Sequence, residues 1–121
     1  MAISQKDKQL IIMVAGPYTN GGADAAQRDK NLRALNEAAL AVWERGHVPL
    51  IGVNAVKPII EVAGEHRYKE MMMPICLAMA ERCDAVLRVG GRSQGADDEV
   101  ARVVAFGGQV FQRIEDIPQV K

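Results

Sequence analysis

The run Ser93-Gln94-Gly95-Ala96-Asp97-Asp98-Glu99 follows an apolar stretch and opens an amphipathic one, so it reads as the turn between a strand and a helix. Such a turn brings two kinds of chemistry together. Backbone N–H groups near Ser93 and Gly95 point outward at the helix start and can hold an anion such as phosphate. The 3.6-residue period then places Ala96, Val100, Val103 and Val104 on one apolar stripe, with Glu99 on its border. Asp98 lies one turn before Arg102 and can form an exposed i,i+4 ion pair worth roughly 0.2–0.5 kcal/mol. Glu99 meets Val103 at the same offset and gains no such partner. A carboxylate turned toward apolar surface is destabilising unless something compensates, and function is one compensation. Two plainer readings stay open: Asp97, Asp98 and Glu99 complement the helix dipole, and Ser93 is a helix cap.

The elements that must position these groups alternate strand and helix. Asp84 to Val89 reads as the strand before the turn Gly90-Gly91-Arg92, and Ala96 to Phe106 as the helix after it. Upstream, Leu10 to Ala15 is a continuous apolar run of the kind found in a parallel strand covered on both faces, ended by Gly16-Pro17. A polar loop, Tyr18-Thr19-Asn20-Gly21-Gly22, leads into a helix from about Asp24 to Arg45, with an inward stripe of Leu32, Leu35, Ala39, Val42 and Trp43. Gly46 stops it, and His47 to Ile51 is a short strand whose proline favours an edge or a strand start. Gly52 to Glu65 shows no steady period and reads as a loop with one helical turn. Arg67 to Arg82 reads as a helix, kinked or restarted at Pro74. Gln109 to Gln112 is a final strand, and the tail through Ile117-Pro118 folds over the sheet edge.

This alternation predicts an α/β fold: a single doubly wound, Rossmann-like parallel sheet of about four to five strands with flanking helices. The 121 residues form one domain behind a polar arm, residues 1–9. Ligands of such sheets bind beyond the carboxyl ends of the strands. Two of those ends carry unusual residues, Gly16-Pro17-Tyr18 and Ser93 to Glu99, so one pocket can draw on both.

Composition narrows the partners. Fifteen basic and fifteen acidic residues give no net charge, and no basic cluster with interleaved aromatics is present, which argues against a nucleic-acid polymer. A small charged ligand fits better. No segment approaches the roughly 20 apolar residues of a membrane helix, and Met1 to Gln9 lacks the pattern of a signal peptide. Cys76 and Cys83 have no Cys or His at zinc-like spacing, so no metal is expected and both read as reduced core thiols of a cytoplasmic protein. His47, after Gly46, reads as a packing or capping residue. His66 is a weaker ligand candidate, and Met71-Met72-Met73 fill core or line a base pocket.

Val14-Ala15-Gly16-Pro17-Tyr18-Thr19, followed by Cys83-Asp84-Ala85-Val86 and Ser93-x-Gly95-x-x-x-Glu99, resembles the two signatures of the nucleoside 2-deoxyribosyltransferase superfamily. The resemblance runs from about Ile11 to Phe111, with no contribution from Gly52 to Glu70. It implies cleavage of the N-glycosidic bond of a 2-deoxynucleoside or nucleotide, with Glu99 as nucleophile on the anomeric carbon and Tyr18 in the base and sugar pocket. The residue six before the glutamate is commonly Asp in transferases of free nucleosides and Ser in hydrolases of nucleoside 5′-monophosphates, and this chain has Ser93. Asn20, Gly21 and Gly22 match a Gly-Gly of that second branch and imply another part of the anion site. No organic cofactor is implied. Family members often complete their pockets with a neighbouring subunit, which implies a homo-oligomer, a dimer or tetramer.

One departure counts against catalysis. The family usually carries an acidic residue about eight positions before the aspartate matching Asp84, and here that position is Cys76. A thiol does not replace a carboxylate near neutral pH without a large pKa shift. Asp97, Asp98 and Glu70 are the candidates to substitute for it. Three readings follow: a nucleotide N-glycosidase or transferase, a nucleotide-binding or sensing module that has lost turnover, and a structural subunit with a vestigial site.

Overall fold

The computed structural model describes residues 8–120, so of the polar arm only Lys8 and Gln9 can be placed. Four strands, β1 (Ile11–Ala15), β2 (Val48–Leu50), β3 (Ala85–Arg88) and β4 (Gln109–Phe111), alternate with α1 (Ala25–Glu44), α2 (Gly52–Ala63), α3 (Tyr68–Ala80) and α4 (Gln94–Ala105). All strand pairs are parallel, in the order β2-β1-β3-β4. This is the doubly wound α/β sheet that the strand-helix alternation predicts.

The uninterrupted apolar composition of β1 reflects burial on both faces. Ile12 and Val14 join Ala85 and Leu87 under Leu35, Ala39 and Val42 of α1. Met13 and Ala15 join Val86 on the opposite face, beneath Ala80 at the end of α3 and Ala96 and Val103 of α4. The two-residue strand period thus sorts one run of hydrophobic residues into two cores. β2 and β4 are the edges, and Pro49 lies on β2, where a missing ladder donor is tolerated.

Several sequence expectations need correction. Gly52 to Glu65 is no loop: α2 runs twelve residues, with Gly52, Val56 and Ile60 buried at i, i+4 and i+8. Pro58 obscured that period, but it is exposed, as is Asn54, whose carbonyl it leaves without a helical donor, so water can take the bond. Pro74 likewise lies inside α3 without ending it, and the carbonyl it leaves free belongs to exposed Glu70. The apolar stripes place Trp43 and Val104 inward, but they are 59% and 52% exposed. The buried residues of α4 are Ala96, Glu99 and Val103, so the stripe is rotated and carries Glu99 within it. Asp98 does not pair with Arg102: it accepts from Gln94 Nε2 at 2.8 Å, while Arg102 binds Glu81 at the end of α3. α4 also begins earlier than expected, at Gln94.

The tail covers the α1 face and the start of β2. Ile117 is buried in the α1-side core, and Val120 N–H donates to Arg45 C=O at 2.8 Å. His47, fully buried, joins the segment before β1 to the segment after β4: its Nδ1 accepts from Leu10 N–H at 2.9 Å, leaving Nε2–H to donate to Pro118 C=O at 2.6 Å. Replacing His47 with Ala leaves both backbone groups unpaired and opens a void. Urea denaturation should show His47→Ala destabilised by about 2–4 kcal/mol; a change under about 0.5 kcal/mol would mean that the imidazole does not hold the two segments.

Candidate functional site

The chain leaves β1 toward one face of the sheet and β3 toward the other, which opens a cleft at the carboxyl ends of these central strands. The exits touch at Gly16. A Cβ there would stand 2.8 Å from Val89 O and 2.9 Å from Leu35 Cδ2, so only glycine lets the strand ends stay adjacent. Gly90, at φ +75°, then turns the second exit. Arg88 fastens that turn. Its guanidinium donates to Val89 O at 2.5 Å, to Gly91 O at 2.8 Å and to Asp97 Oδ1 at 3.1 Å, and its side chain is only 14% exposed.

Ser93 caps α4, its Oγ accepting from Ala96 N–H at 3.2 Å. The helix-cap reading of this serine therefore holds for its side chain. Ser93 C=O takes Asp97 N–H at 3.0 Å, so the first two amides of the helix, on Gln94 and Gly95, are those left without an intrahelical acceptor. Both residues line a cavity of about 580 Å³.

That cavity brings together most of the residues singled out in the sequence. Gly16, Tyr18, Asn20 and Gly21 line it from the β1 loop, and Ser93, Gly95, Asp97 and Glu99 from the β3 loop and α4. Tyr18 is buried and its carbonyl accepts from Asn31 Nδ2 at 2.7 Å, which anchors the loop to α1. Asn20 and Gly21 both have positive φ, 45° and 77°. Gly22 stands outside this lining, and its N–H donates to Thr19 C=O. Asp97 reaches the lining with its carboxylate already bound by Arg88. His66 is exposed in the turn ahead of α3 and takes no part.

Of the remaining lining residues, Met72 and Cys76 are already candidates in the sequence, whereas Tyr68, Val53 and Arg92 are not. Tyr68, Met72 and Cys76 project into the cavity from one face of α3, with Val53 from α2 and Arg92 from the turn before α4. The spacing 68, 72, 76 is a helical i, i+4, i+8 series and was the signal available. Met72 and Met73 line the cavity, whereas Met71 packs with Val56 and Ile60. Burial raises the Tyr68 phenol above its ordinary pKa, partly offset by a hydrogen bond with Thr19; it therefore stays protonated near neutral pH.

Glu99 is 9% exposed. Burial pushes its pKa up to about 7, against the opposing effects of a hydrogen bond with Cys76 and the Arg88 charge, while Asp98 adds to the rise. The Cys76 thiol is itself pushed up to about 12, by burial first and then by Glu99. It stays protonated, with Met72 Sδ at 3.7 Å as a second neighbour. Gly52 closes the cluster from α2: a Cβ there would collide with Cys76 Sγ and stand 3.3 Å from Glu99 Oε2. The carboxylate thus sits where α2, α3 and α4 meet, half ionised at neutral pH and open to the cavity.

Among the described residues, no three His, Cys, Asp or Glu side chains gather closely enough to hold a metal ion, and no helix is long and apolar enough to cross a membrane. Compared with known proteins, the chain matches no family model and no curated sequence.

A carboxyl whose pKa rises on folding favours the native state only while protonated. Its contribution is complete below the unfolded value of about 4.3 and is lost as pH rises through about 7. Glu99→Gln should therefore be more stable than the parent at pH 8 by on the order of 3–4 kcal/mol, with the gain vanishing near pH 4. Thermal melts across that range check this, and a pH-independent difference would show that Glu99 is not desolvated.

Proposed function

We propose that the chain is a nucleotide N-glycosidase of the deoxyribosyltransferase type, cleaving the bond between base and sugar of a nucleoside 5′-monophosphate. The observation that carries this reading is a buried carboxylate, Glu99, sharing one cavity with the unpaired amides of Gln94 and Gly95. A sugar phosphate needs both: an anion site at one end and a nucleophile at the other. Arg92 adds a positive charge on the phosphate side, and Ser93 presents no carboxylate there to repel it. Tyr18, Tyr68 and Met72 offer flat and polarisable surfaces to a base.

In the reaction, a Glu99 carboxylate oxygen bonds to the anomeric carbon while the carbon–nitrogen bond breaks. Its electron pair goes to the base nitrogen, which takes a proton from solvent. Water then attacks the same carbon, the sugar–ester bond breaks back to the Glu99 carboxylate, and the water's proton passes to solvent. Only ionised Glu99 can begin this sequence, so the rate rises with pH through about 7. The exposed apolar residues Leu40 and Trp43 on α1, and Ile59 and Val62 on α2, support assembly with a second copy. Two free buried thiols fit a cytoplasmic setting.

A second reading rests on Cys76. With its thiol held protonated up to about 12, Cys76 cannot take the acid-base role of a carboxylate beside Glu99, and the same cavity then serves as a nucleotide-binding module without turnover. A panel of nucleosides and their 5′-monophosphates, assayed chromatographically for released base, separates the two. The enzyme reading predicts release from at least one monophosphate, with its nucleoside poorer, and a loss of about 10³-fold or more in Glu99→Ala. Thermal stabilisation by nucleotide with no released base points to the binding module. Release unchanged in Glu99→Ala would exclude Glu99 as nucleophile.

A further inference from the structure

The cavity at Glu99 does not end at Arg92. A second cavity of about 530 Å³ adjoins it, and Asn20, Gly21 and Arg92 line both. The second lobe extends beneath the start of α1, where Gly22, Gln27 and Asn31 form part of its wall.

Charge distinguishes the lobes. The Glu99 cavity contains two carboxylates, Asp97 and Glu99, whereas Arg92 is the sole charged residue of the second lobe. Among the described residues, no carboxylate lies within 4.0 Å of the Arg92 guanidinium, unlike that of Arg88, which Asp97 holds at 3.1 Å. Arg92 thus stands on the ridge between two spaces with its donors uncommitted to an internal anion. The amide walls add to this. Gln27 Nε2 donates to Asn31 Oδ1 at 2.8 Å and Asn31 Nδ2 to Tyr18 O at 2.7 Å; each side-chain amide carries two hydrogens, so each retains one for a ligand. A single phosphate at the start of α4 meets Arg92 from one side only. A second phosphate, linked to the first, would sit across the ridge in a lobe whose lining has donors and no carboxylate, the adjacent Asp24 being held by Gln27 N–H at 2.8 Å.

We propose that this second lobe binds the terminal phosphate of a pyrophosphate-bearing nucleotide, making a nucleoside 5′-diphosphate or its conjugate a better ligand than the monophosphate. The inference rests on the nucleotide reading of the Glu99 cavity but not on turnover. It also gives Gly22, which lies outside the first cavity, a place in ligand binding.

Calorimetric titration of the intact protein with the 5′-mono- and 5′-diphosphates of each common base, with a diphosphate-linked sugar nucleotide and with inorganic pyrophosphate tests it. For at least one base the diphosphate should bind about tenfold or more tighter than the monophosphate, as expected from added charge-assisted hydrogen bonds. Retention of that gain by the sugar conjugate marks the lobe as open to a linked group; its loss marks the free terminal phosphate as the ligand. Gln27→Glu, which puts a carboxylate into the second lobe, should bring the ratio of the two affinities to near one. Equal affinities in the parent, an unchanged ratio in the variant, tighter binding of pyrophosphate alone than of any nucleotide, or no binding at all would each overturn the proposal. Tighter diphosphate binding without any base release would uphold it and remove the glycosidase reading instead.

Discussion

Everything distinctive about this molecule depends on two parallel strands leaving the sheet side by side in opposite directions. The absence of a side chain at Gly16 allows it, because Val89 and Leu35 already occupy the space a Cβ would take. If the exits were forced apart, the β1 loop and the α4 start would no longer face one cavity. The same contact lies within the α1-side core, since Leu35 belongs to the α1 layer and Val89, which continues β3, packs against that layer. Local backbone geometry and global topology thus meet at one residue, and the cleft follows from the winding of the sheet.

Desolvation is the second constraint. Glu99 lies in the buried stripe of α4, a place where a leucine would add stability and a carboxylate subtracts it. The surrounding residues moderate the penalty without removing it: Arg88 supplies positive charge, Cys76 a weak donor, and Gly52 lets the backbone of α2 approach. An acid in the place of Cys76 would have left two like charges sharing one pocket. With a thiol there, burial is the largest influence on the carboxylate and Asp98 adds a smaller one.

The sequence disclosed the sheet more fully than the walls of its cleft. β1 and β3 are short apolar runs bounded by glycine, and their burial on both faces left little ambiguity about parallel pairing. α2 was illegible because Pro58 suggests an interruption, yet its buried positions, Gly52, Val56 and Ile60, keep a helical period once the proline is allowed on the wet side. Trp43 shows the opposite failure. Hydrophobicity alone assigned it inward, although Val42, its neighbour, already faced the core, and consecutive helical positions lie about 100° apart. Around the cavity, Tyr18, Ser93, Gly95 and Glu99 stood out because they follow strands. Arg92 and Tyr68 did not, since their importance arises from elements that converge only in three dimensions.

The His47 bridge joins the segment before β1 to the segment after β4. Gln9 Nε2 reaches Gly46 O at 3.1 Å, and Val120 N–H reaches Arg45 C=O at 2.8 Å, so entry and exit lie against the same helix terminus. The cavity is built at the other end of the strands, from their carboxyl-terminal loops. The segment before β1 and the segment after β4 are therefore pinned together at the opposite pole from the cleft, so a change that loosens this closure acts on stability while the ligand-facing loops keep their order around the carboxylate.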